Sequence, residues 1–506
     1  MGNIRDVFAK VGKFIVPLEK GEYQKFFSIS FAFFLISLIY NILRTLKISM
    51  IVSASGAEII PYVKVWGVLP SAFLFTYIVI KLSSRLKREH VFHILIGFFI
   101  LYFSIFLFII YPNRNSCELV SLSNSLQSLL PSAFNGIILM IRYWHFSLFY
   151  LFSELWSTII LSLLFWGFVN EISRVHQAKR FYGSFALSAN IAAVFAGQIT
   201  LSTCQMNSSQ FFLTFCEDMW HQSVFLLLSV VIFSGIIVWF LFSYVSKVHE
   251  QEQIESDEKV RRLSLKKKER AGLLQSLNLV LKSRYLFYLS ILVFGYNLVF
   301  NLIDVLWTDQ LSQMFEGDQL GLAIYISRVT MMKGFLATIL AIFVTTTVVT
   351  KLGWVYAAIT TPVMIFLTSF LFFPLVLSQE TGLEKYLLSL SPGATLLSIT
   401  VFIGAVQSCL TRSLKYTMFD ATKEMAFVPL DLNMKRQGKA VIDGVGSRIG
   451  KSCGSLVYQV LLPFFASISA TVPYVAIIVF VVVLLWIYSV IGLNKEMKKL
   501  KGSEKI

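Results

Sequence analysis

Twelve long apolar runs, separated by short polar or charged connections, dominate the sequence. The runs lie near residues 26–43, 63–82, 91–111, 144–169, 181–203, 222–246, 285–306, 325–349, 353–377, 392–410, 441–466 and 471–492. A helix that crosses a membrane needs about 20 mainly apolar residues. Strands of an open sheet would leave backbone polar groups unsatisfied in lipid, so these runs are interpreted as helices. The sequence therefore predicts an all-α membrane protein with about twelve transmembrane helices. The weakest signals come from three runs that contain charged residues: 63–82, 325–349 and 441–466.

The composition excludes a soluble protein. Of the 506 residues, 56% are hydrophobic and only 14% are charged, whereas a soluble domain averages about 25% charged residues. A net charge of +16 in a soluble protein would favour nucleic-acid binding. Here the basic residues lie mostly between apolar runs, so no nucleic-acid partner is expected. The first 25 residues are polar and basic, without the apolar region that a cleavable signal peptide requires.

Lysine and arginine residues mark alternate connections. They concentrate in both terminal segments and in the second, fourth, sixth and tenth connections, the last of which includes Arg412, Lys415 and Lys423. With twelve helices, all these segments lie on one side of the membrane. Since basic connections face the cytoplasm, both termini are predicted to be cytoplasmic.

The longest charged connection divides the chain into two sets of six helices, a plan typical of transporters that bind substrate between two repeated bundles. No convincing sequence identity relates the two halves. The predicted organisation is a cytoplasmic N-terminus (1–25), an N-terminal six-helix bundle (26–246), a charged cytoplasmic linker (247–284), a C-terminal six-helix bundle (285–492) and a basic cytoplasmic tail (493–506).

Several charged residues lie in or at the ends of the apolar runs. They are Arg44, Lys47, Glu154, Asp304, Arg328, Lys333, Arg448 and Lys451. A charge in the centre of a spanning helix costs about 2.5–3.5 kcal/mol on insertion scales, so such residues usually face a cavity. Several cations with two carboxylates suit a polyanionic substrate, with the acids serving in coupling or gating. The alternative for each residue is snorkelling towards the membrane surface or a structural ion pair.

Other motifs have simpler explanations. Residues 450–452 (GKS) resemble the end of a phosphate-binding loop, but Val445 stands where that loop requires glycine and no strand precedes it. The glycines 444, 446, 450 and 454 instead predict close helix packing. The cysteines and histidines lack the spacing of metal ligands, so no metal or cofactor is expected. Cys204 and Cys216 share one outer connection, where a disulfide can persist; a bridge and two free thiols are both compatible with the sequence.

Three blocks of residues point to a family. The first comprises 42–47 (ILRTLK), 56–61 (GAEIIP) and 69–72 (LPSA); the second 153–156 (SELW), 164–168 (LFWGF) and 178–182 (AKRFY); the third 419–426 (FDATKEMA), 428–431 (VPLD), 438–440 (GKA) and 450–452 (GKS). Over nearly its whole length the chain resembles the ADP/ATP translocases of obligate intracellular bacteria, such as chlamydiae and rickettsiae, and of plastids.

The resemblance implies a major-facilitator-like fold, a multi-pass location in the bacterial inner membrane and a nucleotide substrate. It implies substrate binding by Lys47 and Lys451, with Arg44 and Arg448 as further candidates. Glu154 and Asp304 would serve coupling or gating. Three positions depart from the family pattern: Ile48 replaces an aspartate, Asp304 replaces a glutamate, and Thr308 replaces a lysine.

These departures leave strict ATP-for-ADP exchange and proton-coupled import of nucleotides both open. With no base at Thr308, the sequence suggests that Asp304 and Glu154 carry a proton, or that Asp304 pairs locally with Arg328 or Lys333. Another organic anion is an alternative substrate. A membrane-embedded enzyme is a third hypothesis, although no catalytic cluster is evident. The sequence leaves the base preference, phosphate co-transport and the oligomeric state open.

Overall fold

A computed structural model describes residues 23–86, 88–131, 134–172, 175–206, 216–257, 273–344, 353–381, 395–465 and 467–503. In these ranges the chain is helical and contains no strand. The long helices are α1 (Tyr23–Ser55), α2 (59–85), α3 (88–110), α4 (144–172), α5 (Val175–Cys204), α6 (Met219–Asp257), α7 (Arg284–Met314), α8 (319–344), α9 (Trp354–Thr381), α10 (396–426), α11 (432–461) and α12 (Val472–Ser503). Shorter helices at Val120–Leu129, Asn135–Arg142 and Leu273–Lys282 lie in the connections. The all-helical prediction is confirmed.

Eleven of the long helices in the described ranges are long and apolar enough to span a membrane. The exception is α11, which combines Arg448 and Lys451 with glycines, serines and Gln459. Its helical structure still agrees with the run predicted at 441–466.

Several helices extend beyond the apolar runs that predict them, because charged residues interrupt the apolar pattern without ending the helix. Arg44 and Lys47 lie inside α1 instead of at its end, and α7 continues ten residues beyond Asp304. Lys333 lies in the middle of α8 and does not begin it. The tenth run was predicted to end at 410, but α10 extends to 426, so Arg412 and Lys415 are helical residues and not part of a connection.

Each half of the chain has its own hydrophobic core. One core is built mainly from α1 to α6 and another mainly from α7 to α12. The end of α1 and the start of α2 pack into the second core, through residues that include Ile48, Ile51, Ile59 and Val63. The two halves are therefore joined by apolar packing at one end of the molecule, where α2 begins and α11 ends. We call this the closed end.

Helices α5 and α8 form the main contact between the halves. A Cβ atom at Gly197 would lie 2.7 Å from the carbonyl oxygen of Ser327, and one at Gly334 would lie 2.5 Å from the carbonyl oxygen of Asn190. Only glycine allows backbones to approach this closely. The start of α2 packs against α11 in a second contact.

Cys204 and Cys216 are both buried free thiols. The possible disulfide between them is therefore not formed. Both side chains pack as small apolar groups, as free cysteines commonly do. The N-terminal residues 1–22 and the most basic part of the linker, 258–272, lie outside the described residues.

Candidate functional site

Charged side chains from both halves meet in the interior. Lys47, Glu154, Asp304 and Lys451 each lie roughly eight to ten residues from the closed end of its helix, and a helix rises about 1.5 Å per residue. Four different helices therefore place these charges at a similar depth. We call this group, together with Arg44, Lys64, Lys333 and Arg412, the central charge cluster.

Asp304 connects the two halves. Its Oδ1 lies 3.4 Å from an Nη atom of Arg44 on α1 and 3.8 Å from an Nη atom of Arg412 on α10. Arg44 is 7% exposed, and the guanidinium of Arg412 also stacks on Phe300 at 4.6 Å. The partners of Asp304 are thus two arginines, and not Arg328 or Lys333 as the sequence suggested.

A second ion pair lies within the N-terminal half. The Nζ of Lys47 donates a hydrogen bond to Oε1 of Glu154 and lies 4.6 Å from the centre of the Tyr150 ring. Tyr40, on the same helix as Lys47, interacts electrostatically with Lys47, Glu154 and Arg412. Lys47 is buried, and a buried cation of this kind is stable only when it is paired.

Among the described residues three lysines of the cluster have no such pair, and two of them, Lys64 and Lys451, are at least partly exposed. In the described part of the chain no carboxylate lies within ion-pair distance of Lys64 or Lys451. Lys64 is half-buried and Lys451 is exposed, yet both interact electrostatically with Glu154. Lys451 also interacts with Arg412. These two lysines are therefore available for an anionic ligand at an accessible surface between the helices.

Lys333 completes the cluster from α8. Its side chain is 8% exposed and its Nζ lies 5.1 Å from the centre of the Trp307 ring. It interacts electrostatically with Arg44, Arg412 and Asp304. The ring supplies a weak counter-charge to a cation that would otherwise be buried alone.

Arg448 is directed elsewhere. Its Nη1 lies 3.4 Å from the hydroxyl of Thr76, and its guanidinium lies 6.0 Å from the Phe73 ring, both on α2. Arg448 therefore contacts the opposite half but not the carboxylates of the central charge cluster.

Irregular turns accompany the cluster. The chain forms π-helical turns at Val63–Val68, Trp156–Phe165, Lys415–Phe419 and Ala440–Gly446. The first contains Lys64, the second follows Glu154, and the third follows Arg412. π-Turns are common at functional sites because the extra residue changes the direction of neighbouring side chains.

The predicted site residues are thus brought together only in part. Arg44, Lys47, Glu154, Asp304 and Lys451 belong to one cluster, whereas Arg448 contacts α2 and Arg328 is exposed on α8. Sequence reasoning missed Arg412 and Lys64 and proposed no substrate role for Lys333. The signal that reveals Lys64 is a lone lysine in an apolar run with no acidic residue a helical turn away.

The chemistry of the cluster favours a polyanion. Basic side chains outnumber the two carboxylates, and the arginines can each offer two parallel donors to a phosphate. Within the described ranges no group of three histidine, cysteine, aspartate or glutamate residues is placed to hold a metal ion.

Comparison with known proteins assigns the chain to a family. Residues 1–497 match the family described as TLC ATP/ADP transporter. The chain belongs to this family. It is 36% identical over 499 residues to ADP,ATP carrier protein 1 of Chlamydia trachomatis, covering 96% of this chain and 91% of that protein. It is 33% identical over 505 residues to ADP,ATP carrier protein 1 of Rickettsia prowazekii, covering 96% of both.

One solved structure shares the fold. A bacterial metal transporter aligns with a TM-score of 0.50 and 12% sequence identity, covering 94% of this chain and 99% of that one. The fold is the major-facilitator-like arrangement that the resemblance implied. The protein is a multi-pass membrane transporter and not an enzyme.

Proposed function

We propose that this protein carries adenine nucleotides across a bacterial inner membrane by alternating access, exchanging ATP for ADP. Family membership supports the substrate class. The observation that supports the site is the central charge cluster, where no carboxylate of the described residues lies within ion-pair distance of Lys64 or Lys451. Lysine is a common phosphate ligand because its ammonium acts as a strongly hydrated point charge.

The roles of the charged residues follow from their partners. Lys47, Lys451 and Arg44 bind the phosphates, together with Arg412. Arg448, whose partner is Thr76 across the interface, has a weaker claim to the same role. Glu154 and Asp304 hold the cations in the absence of substrate and release them to phosphate, which is a gating role.

The basic connections support an orientation with both termini in the cytoplasm, one six-helix bundle at 26–246 and another at 285–492, joined by the linker 247–284. In this orientation the closed end faces the periplasm. The substrate would then enter the described conformation from the cytoplasmic side.

The test is uptake of labelled ATP into proteoliposomes that contain the purified protein. Vesicles loaded with ADP are expected to take up ATP rapidly, and vesicles without internal nucleotide are expected to take up little. Labelled organic anions without phosphate, such as a dicarboxylate, serve as competitors that should have no effect. Failure of ADP-loaded vesicles to accumulate ATP above protein-free vesicles would refute the proposal.

A further inference from the structure

The first part of α2 departs from regular α-helical geometry. Pro61 has no amide hydrogen, and a π-turn follows at Val63–Val68. Gly67 and Pro70 continue the same stretch. Proline lacks the amide hydrogen for one helical hydrogen bond and a π-turn changes the register of others, so the backbone pairing here departs from that of a regular α-helix.

Gln459 of α11 bonds to this stretch across the interface between the halves. Its Nε2 donates to the carbonyl oxygen of Pro61 at 2.9 Å, and its Oε1 accepts from Nε1 of Trp66 at 3.1 Å. One amide thus uses its donor and its acceptor on two residues of the opposite half. We call these two hydrogen bonds the Gln459 bridge.

Further packing surrounds the bridge at the closed end. The short helix Asn135–Arg142 covers the start of α2, where a Cβ atom at Gly136 would lie 2.1 Å from the Tyr62 ring. Ile59, Ile60 and Val63 are buried in the core shared with the C-terminal half. The Gln459 bridge is therefore the polar part of a mainly apolar contact.

Lys64 lies between the two residues that Gln459 contacts. Its charge interacts with Asp304, Glu154 and Lys451 of the central charge cluster, and it has no ion-pair partner in the described residues. A single segment, 61–66, therefore presents a cation to the substrate site and two hydrogen-bonding groups to the opposite half. A backbone shift that carries Lys64 towards a ligand would also displace the groups of Pro61 and Trp66 that Gln459 holds.

We propose that residues 61–66 of α2 couple substrate binding to the closed end, with Lys64 as a phosphate-contacting residue and the Gln459 bridge as the contact that its movement breaks. The inference rests on the proposed function, because it requires a nucleotide in the central charge cluster. Lys64 adds a specificity-determining residue to those implied by the family resemblance, and Gln459 adds a positioning residue that does not contact substrate.

The bridge is tested by the distance between two spin labels in a variant whose native cysteines are replaced by serine. Labels at S121C, on the exposed surface of the N-terminal half, and F464C, beyond the end of α11, report opening of the closed end. Q459L removes both hydrogen bonds and W66F removes only one. Two neutral hydrogen bonds correspond to a shift of the equilibrium on the order of tenfold.

The longer distance is expected to gain population in W66F and more strongly in Q459L, without added nucleotide. Q198L is the matched control, because Gln198 is exposed on α5 and its side chain donates to Ser202 of the same helix. A Q459L distance distribution identical to that of the unsubstituted, spin-labelled protein would overturn the role of the bridge.

Lys64 is tested with K64Q, with K81Q as the matched control. Lys81 is exposed on the same helix and lies far along it from the closed end. In K64Q, ATP affinity is expected to fall about tenfold or more, and saturating ATP is expected to leave the label distance unchanged. K81Q and the charge-conserving K64R are expected to retain the ATP response.

The outcomes separate this inference from the proposed function. If the unsubstituted protein neither binds nor exchanges ATP, the proposed function fails. If it exchanges ATP while K64Q binds ATP and responds to it as K81Q does, only the role of Lys64 fails. Should K64Q not fold, K64M replaces it because methionine keeps the apolar stem without the charge: a lost ATP response supports the role of Lys64, whereas a full response with unchanged affinity contradicts it.

Discussion

Asp304 stands between two arginines that belong to opposite halves of the chain. Arg44 approaches from α1 and Arg412 from α10, while the hydroxyl of Thr308 donates to the backbone carbonyl oxygen of Asp304 at 2.6 Å. A phosphate offers the same guanidinium groups a similar pair of oxygen acceptors. Carboxylate and substrate therefore compete for the same donors.

This competition predicts the effect of D304N. Removal of the carboxylate charge frees both arginines, so the Kd for ATP is expected to fall several-fold. Transport is expected to slow, because a tightly held nucleotide leaves slowly and the halves lose a contact. Equilibrium binding and initial uptake rates measure the two effects separately. D309N is the control, since Asp309 lies on the same helix but bonds to Ser469 and Gln313; unchanged or weaker ATP binding by D304N would contradict the prediction.

Lys47 and Lys451 are expected to differ although both are proposed to bind phosphate. K47Q leaves the half-buried Glu154 without its cation, and an unpaired carboxylate in the interior is costly, so both uptake and thermal stability should fall. K451Q breaks no ion pair, so uptake should fall by an order of magnitude or more with the melting temperature unchanged. Uptake assays and thermal unfolding in detergent test this, and wild-type uptake by both variants would refute the assignment.

The sequence reveals some charged residues of the site and conceals others. The sequence identifies Glu154 because apolar residues flank it on both sides, and Asp304 because it is a charge at the end of an apolar run. Arg412 was placed in a connection, since the basic residues after position 410 resemble a cytoplasmic loop. The pairing of Arg412 with a residue more than a hundred positions away has no signature in a single sequence.

At the scale of elements, α11 shows which glycines have a packing role. A Cβ atom at Gly450 would lie 2.9 Å from Cβ of Asn297, and one at Gly454 would lie 3.0 Å from Cβ of Asn301, both on α7. At Gly444 nothing lies within 4 Å. The stripe of small residues therefore predicted close packing correctly at two positions and wrongly at Gly444, because helical spacing identifies a face but not where a neighbour crosses it.

Alanine substitutions along α11 test this packing. G450A is expected to destabilise the protein by about 1–3 kcal/mol, because a methyl group would overlap α7. G444A is the matched control, expected to be neutral or slightly stabilising because alanine favours a helix by about 1 kcal/mol over glycine. Melting temperatures of the purified variants provide the comparison, and equal melting temperatures for the two variants would contradict the contact.

For the whole molecule, the sequence predicted the helix number and the existence of two halves but not their arrangement. Hydropathy identifies the residues that avoid water. That set is nearly the same in every conformation of a carrier, so hydropathy does not indicate which end is closed. Contacts such as Gln459 with Trp66, or Gly197 with Ser327, depend on which end is closed. They connect residues more than a hundred positions apart and lie outside the reach of local patterns.

The mode of coupling is a property of the whole carrier. The sequence hypothesis assigned a proton to Asp304 because the base at position 308 is absent, but the structure supplies Arg44 and Arg412 instead. In the absence of substrate the Arg44–Asp304 pair joins the two halves, which hinders a return of the empty carrier. We therefore expect exchange: uptake of ATP should require internal ADP, and an uncoupler that collapses an inward proton gradient should leave the rate unchanged. Uptake into nucleotide-free vesicles that the uncoupler abolishes would establish proton coupling and contradict the expectation. R44Q provides a further check, because loss of the pair that joins the halves should increase the slow uptake into nucleotide-free vesicles relative to exchange, whereas loss of a merely structural arginine would reduce both rates equally.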